Sequence, residues 1–299
     1  SSLSDLATLA SAITLNEFSN DDGLTTIAVT DTTIDATTLA STIDNYDTIS
    51  AGTTDMTLAS GASINVDAGE ITAMLADESA GRLTIADQVI TVDSAATISV
   101  DTANLLEATT TGVVTASITT TETLSELNTL TGTNGAYTIV VASGDATSST
   151  AADLNTLNGK TTVAVNLTNV TALAGSSLSD LATLASAITL NEFSNDDGLT
   201  TIAVTDTTID ATTLASTIDN YDTISAGTTD MTLASGASIN VDAGEITAML
   251  ADESAGRLTI ADQVISVTGA ITVDNANLLG ATTTGKLTAT IATTETVTE

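Results

Sequence analysis

The stretch "SSLSDLATLASAITLNEFSNDDG" occupies residues 1–23 and returns letter for letter at 176–198. The identity covers residues 1–90 and 176–265 and ends where Thr91 meets Ser266, so residue 1 recurs at residue 176 and the copied block is 175 residues long. A fibre, a stalk or an adhesive array gains reach with every copy, whereas an enzyme seldom needs two identical active sites in one chain. The duplication therefore frames the fold and the function together.

A smaller pattern recurs inside each block. An apolar strand is followed by a polar corner, a short Leu-spaced segment, a Gly or Thr turn and the next strand. "SDLATLAS" at 4–11 precedes "AITLNEF", "DATTLASTID" at 35–44 precedes "DTISA", and "DAGEITAMLADESAG" at 67–81 precedes "LTIADQVITV". "DTANLLEATTTG" at 101–112, "TETLSELNTLTG" at 121–132 and "TAADLNTLNG" at 150–159 continue the series. Leucines three apart, Leu124, Leu127 and Leu130 or Leu154 and Leu157, fit short helices with one buried face. Asp35, Asp67, Asp101, Thr121 and Thr150 are residue types that cap a first helical turn, and Gly132 and Gly159 stand where a helix would stop. Val163, Val165 and Leu167 alternate with Ala164 and Asn166, as on a strand with one inward face.

First anchors at Leu6, Leu39, Ile71, Leu105, Leu124, Leu154 and Leu181 recur at an average of about 30 residues, the period of a stacked supersecondary unit. The fold class expected is a repeat protein: a right-handed parallel β-solenoid with short helices or turns between strands, mostly β with minor α. Residues 1–175 would be a first block of about six coils, and 176–299 a second, incomplete copy continuous with the first. Neither end carries an obvious cap, so a longer molecule or head-to-tail joining is expected.

Composition narrows the function. Of the 299 residues 42% are hydrophobic, with two Phe, three Tyr and no Trp, which suits a thin aliphatic core. Pro is absent, consistent with hydrogen-bonded strands throughout. Thirty-eight acidic residues against Arg82, Lys160, Arg257 and Lys286 give a formal charge of −34. That surface repels nucleic acid and anionic membranes, and needs screening salt to approach copies of itself. No Cys and no His are present, which removes disulfides, thiolate zinc sites and the commonest nucleophile and base chemistry. The run "YTIVVA" at 137–142 is far too short to span a bilayer, so no membrane insertion is expected.

Four candidate chemistries are visible. Glu17, Asn20, Asp21 and Asp22, with Glu192, Asn195, Asp196 and Asp197 in the second copy, offer oxygen ligands for calcium, the one cofactor candidate. Their spacing is not that of an EF-hand loop, and a polar Asn/Asp/Gly turn explains the same letters. The carboxylate pairs Asp21 and Asp22 or Asp77 and Glu78 would suit a carbohydrate-active enzyme only with sugar-seating aromatic or basic residues, which are scarce. The Thr-rich runs at 30–38 and 108–112 are compared with ice-binding ranks but alternate with Asp and fall in corners. Asn166 and Asn169 in "NLTNVT" are overlapping glycosylation acceptors.

"AADLNTLNGKTTVAVNLTNVTALAG" and "TETLSELNTLTGTNGAYTIVVASGDA" resemble units of the very long tandem-repeat surface proteins of cyanobacteria and other aquatic bacteria. The resemblance implies an extracellular or cell-surface location, a bacterial source and a structural or adhesive role without catalytic residues. The expected function is thus a structural repeat in a filament, sheath, surface layer or giant adhesin. A binding module for calcium, glycan or ice, and last a β-helix enzyme, are the alternatives. Expected partners are copies of the chain itself, head to tail or side by side, and cell-surface glycans.

Overall fold

The computed structural model describes residues 1–15, 17, 23–50, 54–225 and 229–293. In chain order, α1 (Leu3–Thr14) leads to β1 (Thr26–Ala28) and β2 (Thr33–Asp35), and α2 (Ala36–Ser50) to β3 (Asp55–Thr57) and β4 (Ser63–Val66). Next come α3 (Ile71–Ser79), β5 (Leu83–Thr84), β6 (Val89–Val92), β7 (Thr97–Ile98), α4 (Val100–Thr109) and β8 (Val114–Ile118). α5 (Leu124–Leu127), β9 (Ala136–Thr138), α6 (Ala151–Asn158), β10 (Val165–Asn166) and β11 (Ala172–Ser176) close the first sequence copy. The second copy runs through α7 (Leu178–Thr189), β12 (Phe193–Ser194), β13 (Thr201–Val204), β14 (Thr208–Asp210), α8 (Ala211–Ser225), β15 (Asp230–Leu233) and β16 (Ser238–Asp242). It ends in α9 (Ile246–Ser254), β17 (Leu258–Thr259), β18 (Val264–Ile271), α10 (Val273–Thr282) and β19 (Leu287–Ile291).

This corrects the expectation of a mostly β, right-handed parallel β-solenoid. The chain is mixed α/β: ten α-helices among the described residues, up to 15 residues long, alternate with strands in several parallel sheets, and no closed solenoid is formed. The physical reason is legible in α2. "DTISA" was expected to be a strand after a short helix, but the helix continues to Ser50, with Leu39, Ile43 and Tyr46 buried along one face. Spacings of four and three residues hold that face together, and packing against α1 overrides the strand preference of the β-branched Thr and Ile residues.

The contacts divide the chain into two compact units. Unit 1 comprises Ser1–Glu122, Glu126–Ile139 and Gly159–Val163; unit 2 comprises Thr123–Ser125, Val140–Asn158 and Ala164–Glu299. In unit 1 one parallel sheet has the order β1-β3-β5 and a second the order β2-β4-β6-β8-β7, with β9 also pairing β8. In unit 2 the parallel sheets are β10-β12, β11-β13-β15-β17 and β14-β16-β18-β19. Register stacks aliphatic residues upon one another: Ile27, Met56 and Leu83 in one ladder of unit 1, and Ile34, Ile64, Ile90 and Val114 in the other. Unit 2 repeats this with Ile202, Met231 and Leu258, and with Ile209, Ile239, Ile265 and Leu287. Each fully buried Val, Leu or Ile contributes roughly 1.5–3 kcal/mol, so these ladders and the helix faces above them form the core.

Helix starts are set by side chains from two directions. Ser2 accepts from the Asp5 N–H at 3.1 Å and its own hydroxyl donates to the Asp5 carboxylate at 2.8 Å, a reciprocal cap that Ser177 and Asp180 repeat. The first helical N–H is then taken by an acceptor from further along the chain. Leu3 donates to Asp31, Leu124 to Asp145 and Leu178 to Asp206, each at 2.8 Å, and Val100 donates to Glu122 at 3.1 Å. Asp35 and Thr150 cap as read from the sequence, through the N–H groups of Thr38 and Asp153. Ser99 rather than Asp101 caps α4. Asp31, Glu122, Asp145 and Asp206 thus tie helix starts to segments 21–28 residues further along the chain.

Candidate functional site

The most concentrated polar arrangement is a duplicated clamp. Arg82, just beyond α3, pairs with Asp47 on α2 and Asp77 on α3. Arg257 repeats it with Asp222 on α8 and Asp252 on α9. The arginines are pinned because α2 and α3 present their carboxylates to the same side, and Arg82 also donates its backbone N–H to the Asp77 carbonyl at 2.9 Å. Burial pushes the Asp77 carboxyl above the usual aspartate range; the guanidinium pulls the other way, and Asp44 and Asp47 add to the upward push. Asp252 is raised for the same reasons in the same order. Hydrogen bonding to Asp47 raises the Arg82 guanidinium still further.

The clamp borders a groove of about 340 Å³ in unit 1, floored by Leu39, Ile43 and Met74 with Asp44 and Asp77 among its lining residues. Arg82 is neutralised by two carboxylates, which leaves it ill suited to bind an anion. Asp77 carries the shifted carboxyl expected of an acid, but the chain has no His or Cys to act with it. What the arrangement does well is hold helix to helix. Replacing Arg82 with Gln is expected to cost about 1–3 kcal/mol at neutral pH, below the fully buried case because the arginine is partly exposed. The raised Asp77 takes up a proton in the folded state before the unfolded chain does. The penalty of its charge is therefore present at neutral pH and relieved as pH falls through its raised value, and the loss in R82Q should shrink in urea denaturation at mild acid.

A second polar site is the Gln88 turn. The Gln88 amide, buried beneath "TTTG", donates to the Ala59 carbonyl at 2.9 Å and accepts from the Ala86 N–H at 2.6 Å. The Thr110 hydroxyl donates to the Gln88 carbonyl at 2.6 Å. A Cβ on Gly112 would lie 2.3 Å from that carbonyl oxygen, so only glycine fits. Gln263, Thr283 and Gly285 repeat the turn. Thr110 is thus an internal tie rather than part of an outward hydroxyl rank.

The calcium candidates fall as follows. Asn20, Asp21 and Asp22 lie outside the described residues. Glu17 is exposed after α1. Glu192 accepts from the Asn158 side chain at 2.6 Å, and Asn195 turns the chain with a φ of 52° beside Asp196 and Asp197. Among the described residues no three acidic side chains gather as a metal centre would require. The glycosylation candidates are both half-buried: Asn166 holds the Thr168 N–H at 2.9 Å, and the Asn169 amide nitrogen donates to the Val141 carbonyl at 2.8 Å.

The clamp escaped sequence reasoning because Asp47, Asp77 and Arg82 are brought together only by helix packing. The Ser2 cap had a signal, Ser-x-x-Asp before an apolar run. No helix among the described residues is long and apolar enough to cross a membrane. Comparison with family models, curated proteins and solved structures returned no match. The function must therefore be argued from the molecule itself.

Proposed function

We propose that this chain is a structural repeat segment of an extracellular or cell-surface assembly, such as a filament, sheath, surface layer or adhesin. The observation that carries the reading is that the duplication extends to internal bonding. Tyr46 and Tyr221 each donate to a helix α1 or α7 carbonyl, Leu6 and Leu181, at 3.1 Å, and both arginine clamps and both Gln turns recur pair for pair. What is copied is a set of fastenings. Several acidic residues, among them Asp31, Asp47, Asp77, Asp145 and Asp206, are engaged as helix caps or clamp partners, which favours a scaffold over a catalyst. The resemblance of "LNTLNGKTTVAV" at 154–165 to bacterial surface repeats supports the location and source.

The test is protease shaving of intact source cells, read by mass spectrometry. Peptides from this chain should be released while cytoplasmic markers stay inside. Recovery of its peptides only after lysis would overturn the reading.

A further inference from the structure

Two polar ties join α2 to α3 in unit 1. The Thr37 hydroxyl donates to the Glu70 carboxylate, and Arg82 bridges Asp47 and Asp77. The groove of about 340 Å³ between these helices is lined by residues of both ties, Thr37 and Glu70 from the one and Asp77 from the other. The ties fix the two walls, and small residues keep the space between them open. Ala40 is half-buried, Ala73 is exposed, and a Cβ on Gly69 would meet nothing within 4 Å. The floor is apolar and preformed, with Leu39, Ile43 and Met74 at most 4% exposed. A space of this size lies in the range of small-ligand sites, about 300–1,000 Å³.

The charge around this apolar floor is one-sided. Asp44, Glu70 and Asp77 line the groove, and no lysine or arginine does. The Asp77 side chain is 8% exposed; Arg82 takes its Oδ1, and no described residue donates to its Oδ2. A buried carboxylate oxygen without a donor is costly, and a donor that reaches it is rewarded. Asp44 is exposed on α2, and its charge pushes the Asp77 carboxyl upward in the same direction as burial. What the groove lacks is therefore a positive group with hydrogens to donate. Unit 2 repeats the arrangement. Thr212 donates to Glu245, Arg257 bridges Asp222 and Asp252, the Asp252 side chain is again 8% exposed, and Asp219 pushes its carboxyl upward. Ala215, Gly244 and Ala248 stand for Ala40, Gly69 and Ala73, each with the same degree of burial as its counterpart.

We infer that the groove between α2 and α3, and its copy between α8 and α9, each bind a small organic cation with an apolar arm, an aliphatic primary ammonium ion. The ammonium group donates to Asp44 and to Oδ2 of Asp77, and the alkyl arm lies over Leu39, Ile43 and Met74. An anion is repelled by the three carboxylates. A bare metal ion finds no gathered set of three acidic side chains among the described residues. A neutral hydrocarbon covers the floor and leaves Oδ2 without a donor. Because Asp44 is exposed, its share of the attraction is screened, and binding weakens as ionic strength rises. This activity goes beyond the structural role and is independent of where the chain resides.

The four methionines supply the readout. Met74 lines the unit 1 groove and Met249 is its copy, whereas Met56 and Met231 are 1% exposed within the strand ladders. In nuclear magnetic resonance of the whole chain with isotope-labelled methionine methyl groups, hexylammonium chloride should shift Met74 and Met249 saturably and leave Met56 and Met231 in place. Hexanol, the same arm without the charge, should bind about tenfold more weakly or worse. Asp44→Asn, at an exposed position, should weaken the Met74 titration about twofold to fivefold and leave that of Met249 unchanged, and Asp219→Asn should do the reverse. The Met56 and Met231 signals report whether each unit is still folded. Should Asp44→Asn disturb unit 1, Ala73→Leu fills the same groove from an exposed position and should abolish the Met74 response alone. Hexanol binding as tightly as hexylammonium, shifts at all four methionines, no saturable shift, or variants that titrate as the parent does would each overturn the assignment.

Discussion

Raising the pH above about 10 is expected to unfold the protein, with its three tyrosines ionising together rather than one by one. Tyr46, Tyr137 and Tyr221 are the whole tyrosine complement, and each is 0% exposed. Burial raises all three hydroxyls above their ordinary range, most strongly Tyr137 and Tyr221. For Tyr137 the hydrogen bond to Glu107 and that carboxylate's charge push the same way. The folded state therefore keeps protons that the unfolded chain sheds from about pH 10 upward. Stability is intact below that pH and falls as pH climbs toward the raised values. Each strongly shifted tyrosine removes about 1.4 kcal/mol per pH unit, so two remove about 3 kcal/mol per unit. Phenolate absorbance followed together with far-ultraviolet circular dichroism checks this. A phenolate titration centred near 10 with the helical signal unchanged would contradict the burial of these rings.

The second large effect is an asymmetry between identical residues. Leu184→Ala should cost about 2–5 kcal/mol, because it opens a cavity under a residue that is 0% exposed. Leu9→Ala, in the same local sequence, should cost clearly less, because that side chain is 37% exposed. Urea midpoints of the two variants settle the matter. Equal losses would mean that α1 and α7 are covered alike.

Much of the local structure is legible from the residues alone. Leu124, Leu127, Leu130, Leu154 and Leu157 are buried as their spacing requires, and Asp35 and Thr150 act as caps, whereas Gly132, at a φ of 82°, lies five residues beyond the end of α5. The strand reading of 163–167 holds for Val165 and Asn166 alone; Leu167 is buried just beyond the strand, while Val163 is 37% exposed. The balance of helix and strand departs from local propensity where Thr and Ile sit at helical spacing. In "DATTLASTIDNYDTIS" the β-branched residues favour strand locally, but Leu39, Ile43 and Tyr46 gain more by lying together against α1. The Arg82 clamp was illegible because Asp47 and Asp77 lie 35 and five residues from it, and no local pattern joins them.

The sequence by itself determined that a block is duplicated, that helices begin at the Asp35 and Thr150 caps, and that the chain is strongly acidic. These follow from residue identity and nearest-neighbour spacing, which every copy carries with it. Only the tertiary structure decided that ten helices, among the described residues, alternate with the parallel strands, and which of two identical leucines is buried. Burial is a property of what packs alongside: α6 covers Leu184, and the same residue at position 9 is left facing outward.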